Sequence, residues 1–180
     1  MLDGGTSLLK LCNANLFPQI GKVIFSEKTS NKLSPLQLFN TVGMQFESKG
    51  LLSMFTVSEN CMLPLTFHTR KPKASIINLI NTVADEFSLS YLLDKYPYQL
   101  NDVQTRLANL LRLLVSSPRI LLLDEIQAGM SADLKNSLID KLINFIKSHN
   151  SSMIMTVTAG DQDDFADTRF EIQNKNLLGY

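Results

Sequence analysis

The stretch I-L-L-L-D-E at residues 120–125 decides the fold of this chain. Four consecutive apolar residues, with no polar residue at period two, predict a strand that is buried on both faces of a parallel sheet. Ligands of open α/β sheets bind at the carboxyl ends of strands, where Asp124 and Glu125 stand. We expect Asp124 to hold a cation such as Mg²⁺ and Glu125 to orient or deprotonate a water beside it. The alternative is a strand that ends in two solvated acids, and these six residues do not separate the two interpretations.

Length and charge narrow the classes of protein to which the chain can belong. A chain of 180 residues fits one α/β domain with a sizeable core. With 17 basic and 17 acidic residues the formal charge is zero, which argues against a nucleic-acid partner and against attraction to an anionic membrane. Cys12 and Cys61 are isolated and predict neither a disulfide framework nor a zinc site, so we expect a reducing cytoplasm. No apolar run reaches the length of a membrane span and no export signal is recognised, so any membrane role is expected to come through a partner.

Hydrophobic periodicity predicts helices and strands on both sides of the central strand. The central strand, the predicted helix at residues 132–148 and the strand that follows this helix together form the right-handed βαβ unit of a parallel sheet. We expect the strand at 152–157 to be buried, the strand at 170–172 to close the sheet, and Pro64 to stop its helix. The other predicted elements are a loop at 3–7 opening a helix at 8–12, short strands at 21–25 and 41–46, loop and a helical turn at 31–38, and helices at 56–65, 74–87 and 102–116.

Residues 100–125, L-N-D-V-Q-T-R-L-A-N-L-L-R-L-L-V-S-S-P-R-I-L-L-L-D-E, resemble the ATPases of ATP-binding cassette (ABC) transporters. The segment keeps the family's distance from the signature motif to the Walker B acids, together with the Arg106, Ala108, Arg112 and Pro118 that commonly lie between them. A second segment, residues 43–65, is similar to the family's Q-loop region. Within it, F-x-S-x-x-L and T-V-x-E-N-x-x-L-P-L resemble the ATPases of Mla-type lipid-trafficking systems.

This resemblance implies an α/β fold of the P-loop NTPase type with a mostly parallel sheet. It implies one nucleotide-binding domain over residues 1–180, with a helical subdomain inserted at about 57–117. The resemblance begins inside the phosphate loop, so the family's first strands and its adenine-stacking aromatic residue have no match here.

The amino-terminal glycines match the end of the family's P-loop, G-x-x-x-x-G-K-[ST]. That loop cradles phosphates with backbone N–H groups, neutralises them with the lysine and ligates Mg²⁺ with the hydroxyl. By the resemblance, Gly4 matches the last glycine, Gly5 stands at the lysine position, and Thr6 and Ser7 match the hydroxyl positions. The lysine charge is therefore missing, while Thr6 and Asp124 remain as Mg²⁺ ligands if the ion binds.

The Q-loop and signature positions also depart from the family. Glu47 stands at the Q-loop glutamine and would place an anion near Mg²⁺ and the attacking water. In the family's signature motif, L-S-G-G-Q, the four positions after the leucine hold Asn101, Asp102, Val103 and Gln104 in this chain. The two glycines that approach the γ-phosphate in the family are thus replaced by an acid and a β-branched residue.

The last two motifs are altered as well. Ser131 replaces the D-loop aspartate, and the switch histidine falls in residues 158–161, T-A-G-D, which contain no histidine. Glu125 is left as the remnant of the catalytic machinery. The resemblance therefore implies a degenerate cassette whose binding of ATP and Mg²⁺ is weak or lost and whose hydrolysis is lost or strongly impaired.

Two rival interpretations stay open at this point. One is a working ABC ATPase represented by a truncated chain, which does not explain Gly5, Glu47 or Asp102. The other is a regulatory or scaffold protein that binds a transporter without nucleotide. Co-purification with a permease and with nucleotide would separate the second rival.

The resemblance also implies partners. A transmembrane permease would receive the surface of residues 47–64 and hold the chain at the cytoplasmic face of the inner or plasma membrane, and a second cassette subunit would complete a homo- or heterodimer. We expect Phe46 and Leu52 to close the core and Met54 and Phe55 to contact the permease, because a short helix docks on an apolar floor.

Overall fold

The computed structural model describes residues 4–25, 27–46, 50–158, 160–174 and 176–179. Three short 3₁₀ turns, Ser30–Lys32, Ser90–Leu92 and Pro97–Gln99, accompany the helices and strands. The helices and strands are, in chain order, α1 (Gly5–Cys12), β1 (Ile24–Phe25), β2 (Lys28–Thr29), α2 (Pro35–Thr41), β3 (Val42–Gln45), α3 (Val57–His68), α4 (Lys73–Glu86), α5 (Asp102–Ser116), β4 (Ile120–Leu123), α6 (Ala132–His149), β5 (Ser152–Met155), β6 (Phe170–Gln173) and β7 (Asn176–Gly179).

The central strand of the described sheet is β4. The order is β3-β4-β5 with both pairs parallel, and Leu123 lies opposite Gln45 on one side and Met155 on the other. Leu122 packs with Leu9 of α1, while Leu121 and Leu123 face the larger core formed with the other helices. The apolar run is therefore covered on both faces, as predicted, and its carboxyl end is the place where α1 and the loop after β5 can meet.

Helices α3, α4 and α5 follow one another between β3 and β4 and pack into one apolar core. Their fully buried residues include Cys61, Ile80, Leu110 and Leu111. The helix at 102–116 has the predicted bounds, and it begins at a capping box in which Asn101 and Gln104 each bond to the other's backbone N–H. The division of the chain into a cassette domain with a helical subdomain stays a prediction.

The helix that contains Pro64 does not stop there. It continues to His68, although proline removes one helical hydrogen bond and its ring crowds the preceding turn. Leu65 is 3% exposed in the core, and the Thr69 N–H donates to the Leu65 carbonyl. Packing of the following turn thus outweighs the local cost of the proline.

Two predictions about the last strands are wrong. β5 is not a buried strand: it is an outer strand of the described sheet, and Ile154 is 48% exposed. The strand at 170–172 does not close the sheet, because β6 pairs antiparallel with β7 in a separate hairpin and leaves Phe170 62% exposed.

Two further segments differ in extent. Of the predicted strand at 21–25 only Ile24–Phe25 is paired, and the segment at 31–38 contains a 3₁₀ turn and then α2, which begins at a capping box of Ser34 and Gln37. None of the helices in the described part of the chain is long and apolar enough to span a membrane.

Candidate functional site

Asp124 lies at the carboxyl end of β4 and is 2% exposed. Its Oδ1 atom accepts hydrogen bonds from the Thr6 hydroxyl, 3.0 Å away, and from the Thr156 hydroxyl, 3.1 Å away. Thr6 belongs to α1 and lies 118 positions earlier in the chain. The structure therefore brings together the two residues that the sequence analysis assigned to Mg²⁺.

The other residues matched to the P-loop lie at the start of α1. Gly4 precedes the helix with φ +90°, a left-handed conformation that glycine adopts without steric cost. Gly5 is the first helical residue and is buried, whereas Ser7 is exposed. The first N–H groups of a helix attract anions, but the side chain at the lysine position is a hydrogen atom and supplies no charge.

Gln45, at the end of β3, and Thr156, directly after β5, contact the acidic pair, and the sequence analysis missed both. The Asp124 N–H donates to the Gln45 side-chain carbonyl at 3.0 Å and lies 3.3 Å from the Gln45 backbone carbonyl. The Glu125 N–H donates to the Thr156 hydroxyl at 2.9 Å. Glu125 itself is partly buried and has φ +47°. The sequence signal that could have identified these two residues is a polar side chain at the carboxyl end of each strand beside β4.

The signature positions surround the start of α5. Asn101 and Gln104 form the capping box, and Asp102 is exposed. Val103 lies beside Gly129, with its Cγ2 atom 3.5 Å from the point where a Cβ on that glycine would be. Within the described ranges no hydrogen bond or ion pair joins these four side chains to Thr6 or Asp124. Glu47, the Q-loop position, lies outside the described residues.

The stretch expected to carry the switch histidine is bonded to α6. Asp161 accepts from Lys135 Nζ at 2.9 Å and from the N–H and hydroxyl of Thr158. Burial alone would raise the pKa of Asp161, but these hydrogen bonds and the lysine charge lower it below its ordinary value. Gln127 adds two bonds to the backbone of Gln162. Ala159, inside this stretch, lies outside the described residues.

A model of the family described as "ABC transporter" matches residues 3–128, more than half of the chain. The chain belongs to this family. The matched range includes residues 4–7, 101–104 and 124–125.

Among curated proteins, the ABC chain is 31% identical over 155 residues to the methionine import ATP-binding protein MetN of Cupriavidus necator, covering 84% of this chain and 45% of that protein. It is 27% identical over 187 residues to a putative hemin import ATP-binding protein, HrtA, of Staphylococcus haemolyticus, covering 97% of this chain and 80% of that protein. The chain thus spans about half the length of the MetN relatives it matches.

Among solved structures, the fold is similar to the ATP-binding cassette MJ0796 in a dimeric post-hydrolysis state with ADP and Pi. The TM-score is 0.77 at 20% identity, over 87% of this chain and 71% of that one. It is equally similar, at a TM-score of 0.77 and 20% identity, to cbiO1 of Clostridium perfringens, over 98% of this chain and 71% of that one. These likenesses establish the ABC cassette fold.

ABC cassettes imply ATP and Mg²⁺, and the residues present fit these groups only in part. Neighbouring ligands of an octahedral Mg²⁺ lie about 2.9 Å apart, given metal–oxygen distances of about 2.0–2.1 Å. The Thr6 and Asp124 oxygens, 3.0 Å apart, therefore fit the cation in type and spacing. Gly5 does not fit the triphosphate, because it supplies no positive charge. Within the described residues no group of three or more His, Cys, Asp or Glu side chains offers another metal site.

Proposed function

We propose that the chain is the ATP-binding subunit of a membrane transporter, that it binds ATP weakly and that it has lost hydrolysis or retains little of it. The observation that supports this most is the position of Gly5. It is the first residue of α1 and directly precedes the Thr6 that bonds to Asp124, so the uncharged position lies where phosphates would approach.

The expected loss of rate is large. One preorganised charge contact to a transition state contributes about 3–4 kcal/mol, or a factor of about 10² to 10³ in rate. The chain departs from the family at the lysine, at Glu47 and at both signature glycines, although such effects need not add. Asp102, which is exposed at the start of α5, would add repulsion toward an approaching phosphate.

Mg²⁺ and ATP, if bound, would be held by the residues of this chain that still match the family's motifs. Thr6 and Asp124 would hold the cation, which would neutralise part of the phosphate charge, and the first N–H groups of α1 would face the phosphates. Glu125 would orient a water beside them. A second cassette subunit facing this site would have to supply the contacts to nucleotide that this chain lacks.

ATP turnover tests this proposal directly. We expect the purified chain to hydrolyse ATP no faster than a Glu125→Gln variant, and Gly5→Lys alone not to restore activity because the other positions stay altered. A nucleotide-binding titration with and without Mg²⁺ should show weak or no binding. Turnover clearly above the Glu125→Gln background would contradict the proposal and favour a working ATPase.

We propose a permease as the partner and the cytoplasmic face of the membrane as the location. The docking surface would be the loop that carries Leu52, Met54 and Phe55; Leu52 is 50% exposed and Met54 is 75% exposed. A nucleotide-independent regulatory role is the second candidate, and it would be favoured if the chain co-purified with a permease while binding no nucleotide at all.

The relatives and the sequence point to different cargoes. The names of relatives refer to import of methionine, of hemin and of spermidine or putrescine. The lipid-related role rests only on the Mla-type resemblance of residues 43–65 and stays a prediction. Lipid analysis of the permease that co-purifies with the chain would test it.

A further inference from the structure

Thr156 bonds to both members of the acidic pair. It directly follows β5, and its hydroxyl donates to Asp124 Oδ1 at 3.1 Å while accepting the Glu125 N–H at 2.9 Å. On the opposite side of β4, the buried Gln45 side chain accepts the Asp124 N–H. Neither Gln45 nor Thr156 belongs to the motif positions matched above, so this part of the site is additional to them.

The hydrogen bonds of Asp124 Oδ1 leave no room for a further partner on that atom. A carboxylate oxygen offers about two lone-pair positions, and the Thr6 and Thr156 hydroxyls use both. A cation that coordinates through Oδ1 must therefore take the place of one of these hydrogen bonds. If Thr6 becomes a ligand of that cation, as proposed above, the Thr156 hydroxyl is the donor that still competes for the charge on Oδ1.

The backbone at Glu125 depends on the same hydroxyl. Its φ of +47° lies in the left-handed region, which residues other than glycine adopt uncommonly. The hydrogen bond from the Glu125 N–H to Thr156 holds this turn at the end of β4. One side chain thus bonds to both the carboxylate of Asp124 and the backbone of Glu125.

We propose that Thr156 is a positioning residue that holds the Asp124 carboxylate and the Glu125 backbone in place without a cation, and that its hydroxyl competes with a divalent cation for Asp124 Oδ1. The proposal rests on the function proposed above, since it explains how the site remains ordered in a cassette that binds nucleotide weakly. Thr156 acts through Asp124 and Glu125 and not on the reacting atoms.

The test compares Mn²⁺ binding by the full chain and its variants, without nucleotide, by electron paramagnetic resonance. Thr156→Val keeps the shape of the side chain and removes both hydrogen bonds. A hydrogen bond to a charged carboxylate is stronger than one between neutral groups. Removing the bond that competes with the cation should therefore make Mn²⁺ bind about tenfold more tightly to this variant. Hydrogen exchange at the Glu125 amide should become faster in the same protein.

Two variants serve as controls. Thr156→Ser retains the hydroxyl and should restore wild-type Mn²⁺ affinity and amide protection. Thr158→Val removes an exposed hydroxyl that bonds to Asp161 instead of Asp124, and it should leave both measurements unchanged.

A folded Thr156→Val protein with wild-type Mn²⁺ affinity, or with an unchanged Glu125 amide, would overturn the proposal. If Thr156→Val does not fold, Thr156→Ala against Thr156→Ser gives the same comparison. ATP hydrolysis by the wild-type chain would contradict the proposed function but would leave these nucleotide-free measurements valid, so the two failures are distinguishable.

Discussion

At the scale of single residues, Met54 offers the sharpest test of the docking surface. It is 75% exposed, and Leu52, which the sequence analysis placed in the core, is 50% exposed, so that prediction is wrong. We expect Met54→Asp to abolish co-purification with the permease, since a charge on an apolar floor costs desolvation. The circular dichroism spectrum and melting midpoint should stay nearly unchanged.

Ile20→Asp is the matched control for Met54→Asp. Ile20 is 94% exposed and lies outside the loop of residues 51–56, so its substitution should leave permease association intact. Equal loss of association in both variants would show that the effect is not specific to the docking loop. Unfolding of Met54→Asp would place Met54 in a packed contact and contradict the prediction.

Cys61 differs from Cys12 in a way that alkylation can measure. Burial raises the pKa of the Cys61 thiol to about 12, an effect that nearby Arg112 offsets only in part, while Cys12 is partly buried and its thiol pKa is also raised. The thiolate is the reactive form. We therefore expect iodoacetamide at pH 8 to label Cys12 first in the native chain, with peptide mapping by mass spectrometry showing Cys61 labelled only on unfolding.

The same pKa shift predicts a dependence of stability on pH. A thiol whose pKa is raised on folding stays protonated while the unfolded thiol, with a pKa of 9.0, loses its proton. The stabilising contribution is therefore complete below pH 9 and is lost as the pH rises toward 12. Cys61→Ala should show a smaller fall of the urea midpoint between pH 8 and pH 10.5 than wild type, and identical falls would contradict the assignment.

At the scale of elements, Asn60 fixes the loop before α3. It is 1% exposed, its Oδ1 accepts the Leu52 N–H at 2.7 Å, and its Nδ2 donates to the carbonyls of Leu52, Phe55 and Thr56. Asn60→Leu would remove the partner of the Leu52 N–H and of the Phe55 carbonyl, at about 1–3 kcal/mol each, whereas the carbonyls of Leu52 and Thr56 also accept backbone N–H groups. We expect a fall of about 3 kcal/mol in the free energy of unfolding, together with weaker permease association.

Thr66→Val, in the same helix α3, is the control for Asn60→Leu. The Thr66 hydroxyl is exposed and bonds to the Met62 carbonyl of its own helix, so the substitution should change the free energy of unfolding by less than about 0.5 kcal/mol. Denaturant titrations of both variants make the comparison. An Asn60→Leu protein as stable as Thr66→Val would show that the loop does not depend on the carboxamide.

At the scale of the whole molecule, the strands are divided among three separate sheets in the described residues. β5 has no partner on its outer side there, and two-stranded hairpins are marginally stable on their own. Ile24, Ile154, Phe170 and Leu177 are about half exposed or more. We expect the isolated chain to unfold with a free energy near or below about 5 kcal/mol and to associate as its concentration rises. A monomer with a cooperative, high-temperature melt would contradict this expectation.

The sequence by itself determined the elements whose signals are local. The apolar run before Asp124 was identified as a buried parallel strand because no polar residue interrupts it, and the helix at 102–116 was identified with correct bounds because its apolar residues recur at helical period. The ABC fold followed from motif spacing. The roles of the site residues at Gly5, Thr6 and Glu125 stay predictions.

Only the tertiary structure decided which side chains meet at the end of β4. Gln45, Thr6 and Thr156 come from three different elements, and their contacts with Asp124 depend on strand register and on where α1 packs. The same is true of Pro64, whose helix continues because Leu65 is buried, and of β5, whose exposure depends on the absence of a neighbour in the described sheet. Local patterns report hydrogen bonding and burial within one element, whereas contacts between elements are set by the packing of distant parts of the chain.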